Sequence, residues 1–379
     1  TERDKILRPF MRIIDLILQQ EGLSIKVAIL EKKRWELSIK TRKLSVKSFM
    51  KRYPNIFVIF TNPNDHQPWC KLTDKAMGLV EEEKATLQGS EDTAVNTLRR
   101  MLMMAMGRKI RADHLESCRR IFGFPHDFLD GMVPKYPHYF RPVRDGSHVF
   151  IELGEWDNSI AISEFEKRAM EDGIKKGLGR VEVNGKPFPF KISLSSGMAL
   201  RKKNLEILEN WQKLPYMSPY HDWNSSVKKG TPLSEKRLVC LLHEFLCLTI
   251  EKKARLRVIQ PFRDEFQLPQ KVSHLFEHFP GIFYMSHRGG IKTIMLREGY
   301  RRSRLIEDHP LVRMKEKYLQ MVYEGRRMCS DRSNEKGYTS EEVDDVDDME
   351  DDEEIAHSDE YMGMVDSSDD DSVEETSEM

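Results

Sequence analysis

Three short segments of the chain share one pattern: Tyr53-Pro54-Asn55-Ile56-Phe57, Tyr136-Pro137-His138-Tyr139-Phe140 and Phe279-Pro280-Gly281-Ile282-Phe283. Two apolar residues precede each leading aromatic residue by four and three positions, namely Phe49/Met50, Met132/Val133 and Leu275/Phe276. This spacing is typical of the buried edge of a helix. Proline lacks the N–H and its ring clashes with the preceding turn, so it ends a helix. The pattern therefore predicts a helix that stops at the proline in all three places.

An apolar run follows each segment, and a turn separates it from a second run. The paired runs are 57–60 with 69–72, 140–143 with 149–153, and 283–286 with 291–296. Gly and Asn between the runs supply the backbone geometry that a hairpin needs. Helix, proline stop, hairpin and following helix together indicate a winged-helix-like unit, repeated about three times. The alternative is coincidence, since helices that end at proline before a hairpin are common.

The remaining sequence is largely helical in pattern. Further helices are predicted at 1–20, 73–87, 90–106, 112–122, 200–212 and 235–253, and Ser163 and Glu166 form a capping box at the start of another. Residues 173–197, rich in glycine, indicate a long loop or insertion. The predicted fold class is mainly α with small β-hairpins, followed by a disordered C-terminal tail.

Charge divides the chain of 379 residues into two parts. Of its 62 acidic residues, 20 lie in 338–379, where there is no Lys or Arg, so 42 acidic and 61 basic residues remain in 1–337. The net charge of −1 is therefore the sum of +19 and −20. A tail of Asp, Glu and Ser is predicted to be disordered. We expect a body over residues 1–329 and an acidic tail over 330–379.

Composition excludes several classes of protein. The longest mostly apolar stretch, Leu238 to Ile250, has 13 residues and contains His243 and Glu244. It is shorter than the roughly 20 residues that a membrane-spanning helix needs, so membrane insertion is not expected. The five cysteines are odd in number and widely spaced, which indicates neither a disulfide framework nor a CxxC metal site.

Enzyme motifs fail on spacing. Gly179 to Lys186 has five residues between its glycines where a phosphate-binding loop has four, and Pro187 stands where that loop has Ser or Thr. His243-Glu244 resembles the start of HExxH, but Cys247 replaces the second histidine. A buried helix explains the latter better than a metal site. We predict no catalytic residue, no metal, no cofactor and no small-molecule substrate.

The basic residues of the body are clustered. Neutralising phosphates releases counterions and gives salt-dependent affinity for RNA or DNA, and nearby aromatic residues such as Trp35, Tyr53, Trp69 and Tyr139 could stack on unpaired bases. A single basic doublet is more often only a solvated face, but a total of +19 is unusual for an ordinary domain. The candidate nucleic-acid-binding residues are Lys32, Lys33, Arg34, Arg42, Lys43, Lys51, Arg52, Arg99, Arg100, Arg108, Lys109, Arg119, Arg120, Arg201, Lys202 and Lys203.

Two other functions stay open. One is a scaffold whose basic body binds protein partners. The other is a cysteine hydrolase with Cys118 or Cys240 as nucleophile, for which no neighbouring sequence offers positive support.

The body also resembles the plant organelle RNA recognition (PORR) domain family, and within it the root-primordium-defective type. The matching segments, in order over nearly all of residues 1–325, are 44–57, 98–111, 122–140, 153–163, 214–220, 235–252 and 283–300. The resemblance implies a plant-specific organellar protein that binds intron RNA and promotes group II intron splicing, together with other splicing factors. It also implies a transit peptide ahead of Thr1, with the mitochondrion slightly favoured over the chloroplast. Residues 1–20 are not such a peptide, because they contain acidic residues.

Overall fold

The fold consists mainly of α-helices and carries small antiparallel sheets. A computed structural model describes residues 2–39, 45–176, 184–192, 202–221, 227–228, 230–287, 292–302 and 304–335. The helices are α1 (Glu2–Leu18), α2 (Val27–Lys32), α3 (Val46–Lys51), α4 (Asp74–Gly89), α5 (Glu91–Met104), α6 (Ala112–Phe122), α7 (Met132–Lys135), α8 (Glu164–Lys175), α9 (Lys202–Gln212), α10 (Pro232–Leu248), α11 (Leu256–Ile259), α12 (Arg263–Phe266), α13 (Ser273–His278) and α14 (Pro310–Glu335). The strands are β1 (Ser24–Lys26), β2 (Phe57–Thr61), β3 (Pro68–Leu72), β4 (Lys109–Arg111), β5 (Phe140–Asp145), β6 (His148–Leu153), β7 (Lys253–Arg255), β8 (Phe283–Ser286), β9 (Thr293–Leu296), β10 (Tyr300–Arg301) and β11 (Arg304–Leu305).

The three predicted hairpins are present, and they share one register. The last phenylalanine of each motif pairs with a leucine of the returning strand: Phe57 with Leu72, Phe140 with Leu153, and Phe283 with Leu296. All six side chains are buried. Each hairpin is therefore joined to its core at the same point, where the strands begin to pair.

The turn that the motif makes is also the same in all three places. The carbonyl oxygen of the leading aromatic residue accepts hydrogen bonds from the third and fourth residues after it, each at 3.0 Å. These acceptors are Tyr53, Tyr136 and Phe279. Helices α3, α7 and α13 all end just before them. The proline thus stops the helix as predicted, and the turn leads directly into the hairpin.

Each of the three hairpins is extended by a third strand that the sequence pattern did not predict, whereas β10 and β11 form a two-stranded sheet. The strand orders are β1-β3-β2, β4-β6-β5 and β7-β9-β8. The added strands β1, β4 and β7 have three residues each, of which only the middle one is buried. A single apolar residue is too short a signal for periodicity to detect.

The predicted helix over 235–253 is too long at its C-terminal end, where the chain forms β7 instead. Helix α10 ends at Leu248, and Lys253 already belongs to β7. The residue before β7, Lys252, has a φ of 49°, and Leu23 and Arg108 before β1 and β4 have φ values of 46° and 55°. A left-handed residue cannot continue a right-handed helix, so the chain turns there into the strand.

Two buried clusters form the core. The first joins α1, the first hairpin and the C-terminal helix α14, where Phe10 lies edge-on to Tyr53 with ring centroids 4.5 Å apart. The second joins the helices and sheets between α5 and β9. The helix predicted over 1–20 is present as α1, and it buries an apolar stripe of Leu7, Phe10, Ile13, Ile14 and Ile17.

Helix α14 bears on the predicted division of the chain. The predicted body ends at residue 329, whereas α14 continues to Glu335. The first six residues of the predicted acidic tail, 330–335, thus belong to α14, and the rest of it, 336–379, lies outside the described residues. The capping box is present, since Ser163 Oγ accepts from the Glu166 N–H and the Glu166 carboxylate accepts from the Ser163 N–H.

In the described part of the chain, no helix has both the length and the apolar character to cross a bilayer.

Candidate nucleic-acid interface

Arg100, a predicted RNA-binding residue, lies inside the second core. Its guanidinium donates to Glu244 at 2.5 Å, to the Tyr220 hydroxyl at 2.9 Å and to Glu164 at 3.0 Å. Burial alone would lower the pKa of Arg100, but Glu244, Tyr220 and Glu164 together outweigh it and raise the pKa above its usual value. The residue is a buried structural cation, so its assignment to RNA binding is corrected.

Arg99 is also buried. It pairs with Asp157 at 3.0 Å, and its guanidinium lies 3.8 Å from the centre of the Tyr139 ring. The doublet stands within the apolar run Leu98 to Met104 of α5. This apolar flank is the signal in the sequence that could have distinguished these two arginines from surface arginines. Arg99 is therefore corrected in the same way.

Arg119 and Arg120 connect two parts of the body. Arg119 lies 3.0 Å from Asp15 of α1, and Arg120 lies 2.5 Å from Asp15 and 3.1 Å from Glu83 of α4. Although burial opposes it, the charges of Asp15 and Glu83 raise the pKa of Arg120. These half-buried arginines hold α6 against the first core, and their assignment to RNA binding stays a prediction.

Other predicted residues are on the surface. Lys32, Lys51 and Arg108 are exposed, and Lys33, Arg34, Arg52 and Lys109 are half-buried. The Arg108 guanidinium lies 4.8 Å from the centre of the Trp156 ring. Arg42, Lys43 and Arg201 lie outside the described residues, and Lys202 and Lys203 begin α9.

The three sheets built on the motif hairpins share a basic position, on the side opposite the buried middle residue of their first strand. The third residue of the first strand is basic in each sheet and lies opposite a residue of the central strand; the pairs are Lys26–Trp69, Arg111–Phe150 and Arg255–Thr293. In the first sheet Lys26 Nζ lies 5.6 Å from the Trp69 ring centre and also pairs with Asp65 at 2.8 Å. In the second sheet Lys109 Nζ lies 4.9 Å from the Phe150 ring centre. In these two sheets the cations lie over aromatic rings, an arrangement that suits contacts to both phosphates and bases.

The second hairpin has the most exposed outer strand of the three. From Arg141 to Asp145 every residue of β5 is exposed, including Arg144 and the apolar Val143. Sequence reasoning missed these arginines because they are single residues in a strand and form no doublet. The available signal was the presence of two arginines, Arg141 and Arg144, within one short predicted strand.

Cys118, Cys240, Cys247 and His243 are not placed in an accessible site. Cys118 and Cys240 are buried, and burial raises the pKa of Cys240 to about 12. Cys247 Sγ lies 3.7 Å from His243 Nδ1, and His243 Nε2 lies 2.7 Å from Glu298. Both Cys247 and His243 are almost fully buried, at 3% and 1% exposure. A substrate could not reach this arrangement without opening the core.

The donor atoms of His243, Glu244 and Cys247 lie within 4.8 Å of one another. Glu244, however, already accepts from Arg100 and Tyr220. Its carboxylate is thus committed to the buried network, and the three residues fit a structural role better than a metal site.

Comparisons with known proteins match the whole body. A family model described as the plant organelle RNA recognition domain covers residues 1–327. ROOT PRIMORDIUM DEFECTIVE 1 from Arabidopsis thaliana is 30% identical over 330 residues, which are 85% of this chain and 80% of that protein. WHAT'S THIS FACTOR 9, mitochondrial, from the same plant is 30% identical over 348 residues, 91% of this chain and 87% of the relative.

A third relative carries a different organelle in its name. WHAT'S THIS FACTOR 1, chloroplastic, from Zea mays is 29% identical over 322 residues, 85% of this chain and 64% of the relative. No solved structure matches the chain. Because the family model spans residues 1–327 of 379, the chain belongs to the plant organelle RNA recognition domain family.

Proposed function

We propose that the chain is a non-catalytic RNA-binding protein of a plant organelle that promotes the splicing of group II introns. The observation that carries the proposal is the family match over residues 1–327. It is supported by the charge of the sequence, since residues 1–337 hold 61 basic and 42 acidic residues. The mitochondrion is the favoured organelle, in line with the relative of that location that aligns with 91% of this chain.

The basic and aromatic outer faces of the sheets are the surfaces that we assign to RNA. The three units that carry them are proposed to be copies of one winged-helix-like module. Their common strand order, motif turn and Phe–Leu register support common descent from one unit. Several copies on one chain would contact separate parts of a folded RNA at once.

The proposed mechanism leaves the chemistry in the RNA. A ligand shifts a conformational equilibrium only by its differential affinity for the two states. If the protein binds the spliceable fold tenfold more tightly than a competing fold, it stabilises that fold by about 1.4 kcal/mol. Positioned cations would achieve this discrimination because phosphates come close together only where the RNA is compactly folded.

Filter binding with an organellar group II intron transcript tests the proposal. We expect tighter binding than the roughly 1–100 μM typical of non-specific sites, with affinity falling steeply as salt rises. A matched transcript with its intron domains scrambled is the control and should bind more weakly. A flat salt response, or equal affinity for both transcripts, would contradict the proposal. Immunoprecipitation from isolated organelles followed by RNA sequencing would then identify the bound introns.

A further inference from the structure

Helix α1 lies across the third sheet at its N-terminal end. Lys253 Nζ of β7 lies 3.1 Å from Asp4 of α1, and Lys315 of α14 also pairs with Asp4. Lys253 is the first residue of β7, and its side chain is on the outer face because the buried residue of that strand is Ala254. The first turn of α1 is therefore held against the outer face of β7.

This contact brings four arginines together. Arg8 and Arg12 follow Asp4 by four and eight residues, so they continue along the same side of α1. Arg255 follows Lys253 by two residues and shares its face of the strand. Arg257 lies in α11, which begins directly after β7. We call this set the arginine cluster (Arg8, Arg12, Arg255, Arg257).

The charges in the arginine cluster repel one another. Burial, and then the positive charges of Arg8, Arg257 and Arg12, lower the pKa of Arg255 to about 10, although Asp4 acts in the opposite direction. An anion bound beside Arg255 would relieve this repulsion. A region with such like-charge crowding is thus suited to a strongly anionic ligand.

An exposed tryptophan stands beside the arginine cluster. Arg12 Nη1 donates to the carbonyl oxygen of Glu36 and to Ser38 Oγ, the latter at 2.7 Å. Trp35 directly precedes Glu36, and 65% of the surface of Trp35 is exposed. Its segment is nevertheless fixed, because Leu37 and Ile39 are buried. Trp35 is thus held in solvent by an ordered segment that Arg12 contacts.

Such an exposed indole is informative because a large aromatic side chain is usually buried for most of its area. Taken alone, an exposed Trp or a group of arginines would be unremarkable. Together they provide the two contacts that single-stranded nucleic acid needs, which are cations for the backbone and a flat ring for an unpaired base. In a duplex the bases already stack on each other and would not be available to the ring.

We propose that the arginine cluster binds backbone phosphates of single-stranded RNA and that Trp35 stacks on a base beside them. The proposal rests on the function proposed above and adds a defined site to it. It also places this site between the first unit, which supplies α1 and Trp35, and the third unit, which supplies β7 and α11. The RNA would then bridge two units that are far apart in the sequence.

The stacking contact is tested with the full chain and two probes, a single-stranded oligouridylate and an RNA duplex of equal length. Trp35→Ala should weaken oligouridylate binding about tenfold, since one stacked base contributes roughly 1–3 kcal/mol, and should leave duplex binding unchanged. Trp35→Phe should retain most of the affinity because it keeps a ring. Tyr323→Ala is the matched control, as this aromatic residue of α14 is 43% exposed and lies outside the proposed site.

The phosphate contacts are tested by the salt dependence of the same binding. Arg257 is exposed, so Arg257→Ala should fold normally and should reduce the slope of log affinity against log salt by about 0.7 for a single strand. Arg263→Ala on α12 is the control, because Arg263 is also exposed and lies 3.4 Å from its neighbour Asp264.

Each outcome bears on one proposal. If the unchanged protein binds RNA but Trp35→Ala and Arg257→Ala bind it with the same affinity and salt slope, this site is overturned and the proposed function stands. An equal loss of duplex and single-strand binding in Trp35→Ala would overturn the stacking contact. If the unchanged protein binds neither probe nor an intron transcript, the proposed function itself fails.

Discussion

Arg100 and Glu244 form an ion pair at 2.5 Å inside the second core, although 144 residues separate them in the chain. Glu244 is fully buried and also accepts from the Tyr220 hydroxyl and the Glu164 N–H. One arginine thus joins helices α5 and α10 to the start of α8. This network thus links three helices of the second core.

Removal of the Arg100 charge should destabilise the protein strongly. Arg100→Met leaves the Glu244 carboxylate buried without its cation, and such a loss typically costs about 3–5 kcal/mol of unfolding free energy. Urea denaturation followed by circular dichroism measures this. The control is Arg313→Met, whose exposed partner Asp308 lies 3.1 Å away, and it should change stability by less than about 1 kcal/mol. Equal effects of the two substitutions would contradict the structural role of Arg100.

Gly325 allows α14 to approach the first motif. A Cβ there would lie 2.4 Å from Asn55 Oδ1 and 2.8 Å from Tyr53 Cδ1. Gly325→Ala should therefore force α14 away and lower the unfolding free energy by about 1–3 kcal/mol. Gly78→Ala is a matched control in α4, where a Cβ meets nothing within 4 Å. This control should stabilise the protein by up to about 1 kcal/mol, and thermal melting of both variants compares the two directions.

His243 and Glu298 should give the stability a defined pH dependence. Although burial opposes it, Cys247 and Glu298 raise the pKa of His243 to about 10. The stability that protonated His243 contributes is therefore fully present below pH 6.5 and is lost as pH rises to 10. Burial raises the pKa of Glu298, but His243 and Arg168 outweigh it and lower that pKa to about 2. The stability that ionised Glu298 contributes is fully present above pH 4.5 and is lost as pH falls to 2.

The His243–Glu298 pair therefore contributes most to the unfolding free energy between pH 4.5 and 6.5. Glu298→Gln should reduce the unfolding free energy most in this window and progressively less towards pH 10. Urea titrations of the variant and the unchanged protein at several pH values give this difference. A difference that stays constant from pH 5 to pH 10 would show that the pair does not titrate as stated.

The exposed arginines of the second hairpin should act on RNA binding without affecting stability. Replacing Arg141 and Arg144 with Ala removes two cations from an exposed strand, so the salt slope for single-stranded RNA should fall by about 1.4. Lys84→Ala on the exposed side of α4 is the control and should leave the slope unchanged. Filter binding at four or more salt concentrations measures the slopes, and unchanged slopes in the double variant would exclude this hairpin from the interface.

The acidic residues 338–379 provide a test of competition within the chain. If this segment acts as a polyanion on the basic body, its deletion should tighten binding to unrelated RNA more than binding to an intron transcript. Both affinities are measured by filter binding at one salt concentration. Equal affinities before and after deletion would reject the competition and leave a solubilising role.

The sequence by itself determined the local features of this protein. A proline ends each motif helix because its ring and missing N–H act on the adjacent turn, and the Ser163–Glu166 capping box acts over three residues. For this reason the motif turns, the hairpins and most helices could be predicted. The matching segments were also sufficient to indicate the family. The three-residue strands could not be predicted, since they form only when a central hairpin strand offers its edge.

Only the tertiary structure decided which basic residues are available to a ligand. Arg99 and Arg100 have the same local appearance as a surface doublet, and their burial depends on partners 58 and 144 residues away. The arginine cluster likewise depends on the contact between Asp4 and Lys253, 249 residues apart. Charge is a property of a residue, but its solvation and its neighbours are set by long-range packing. The total of +19 was therefore available from the sequence, whereas its distribution between core and surface was not.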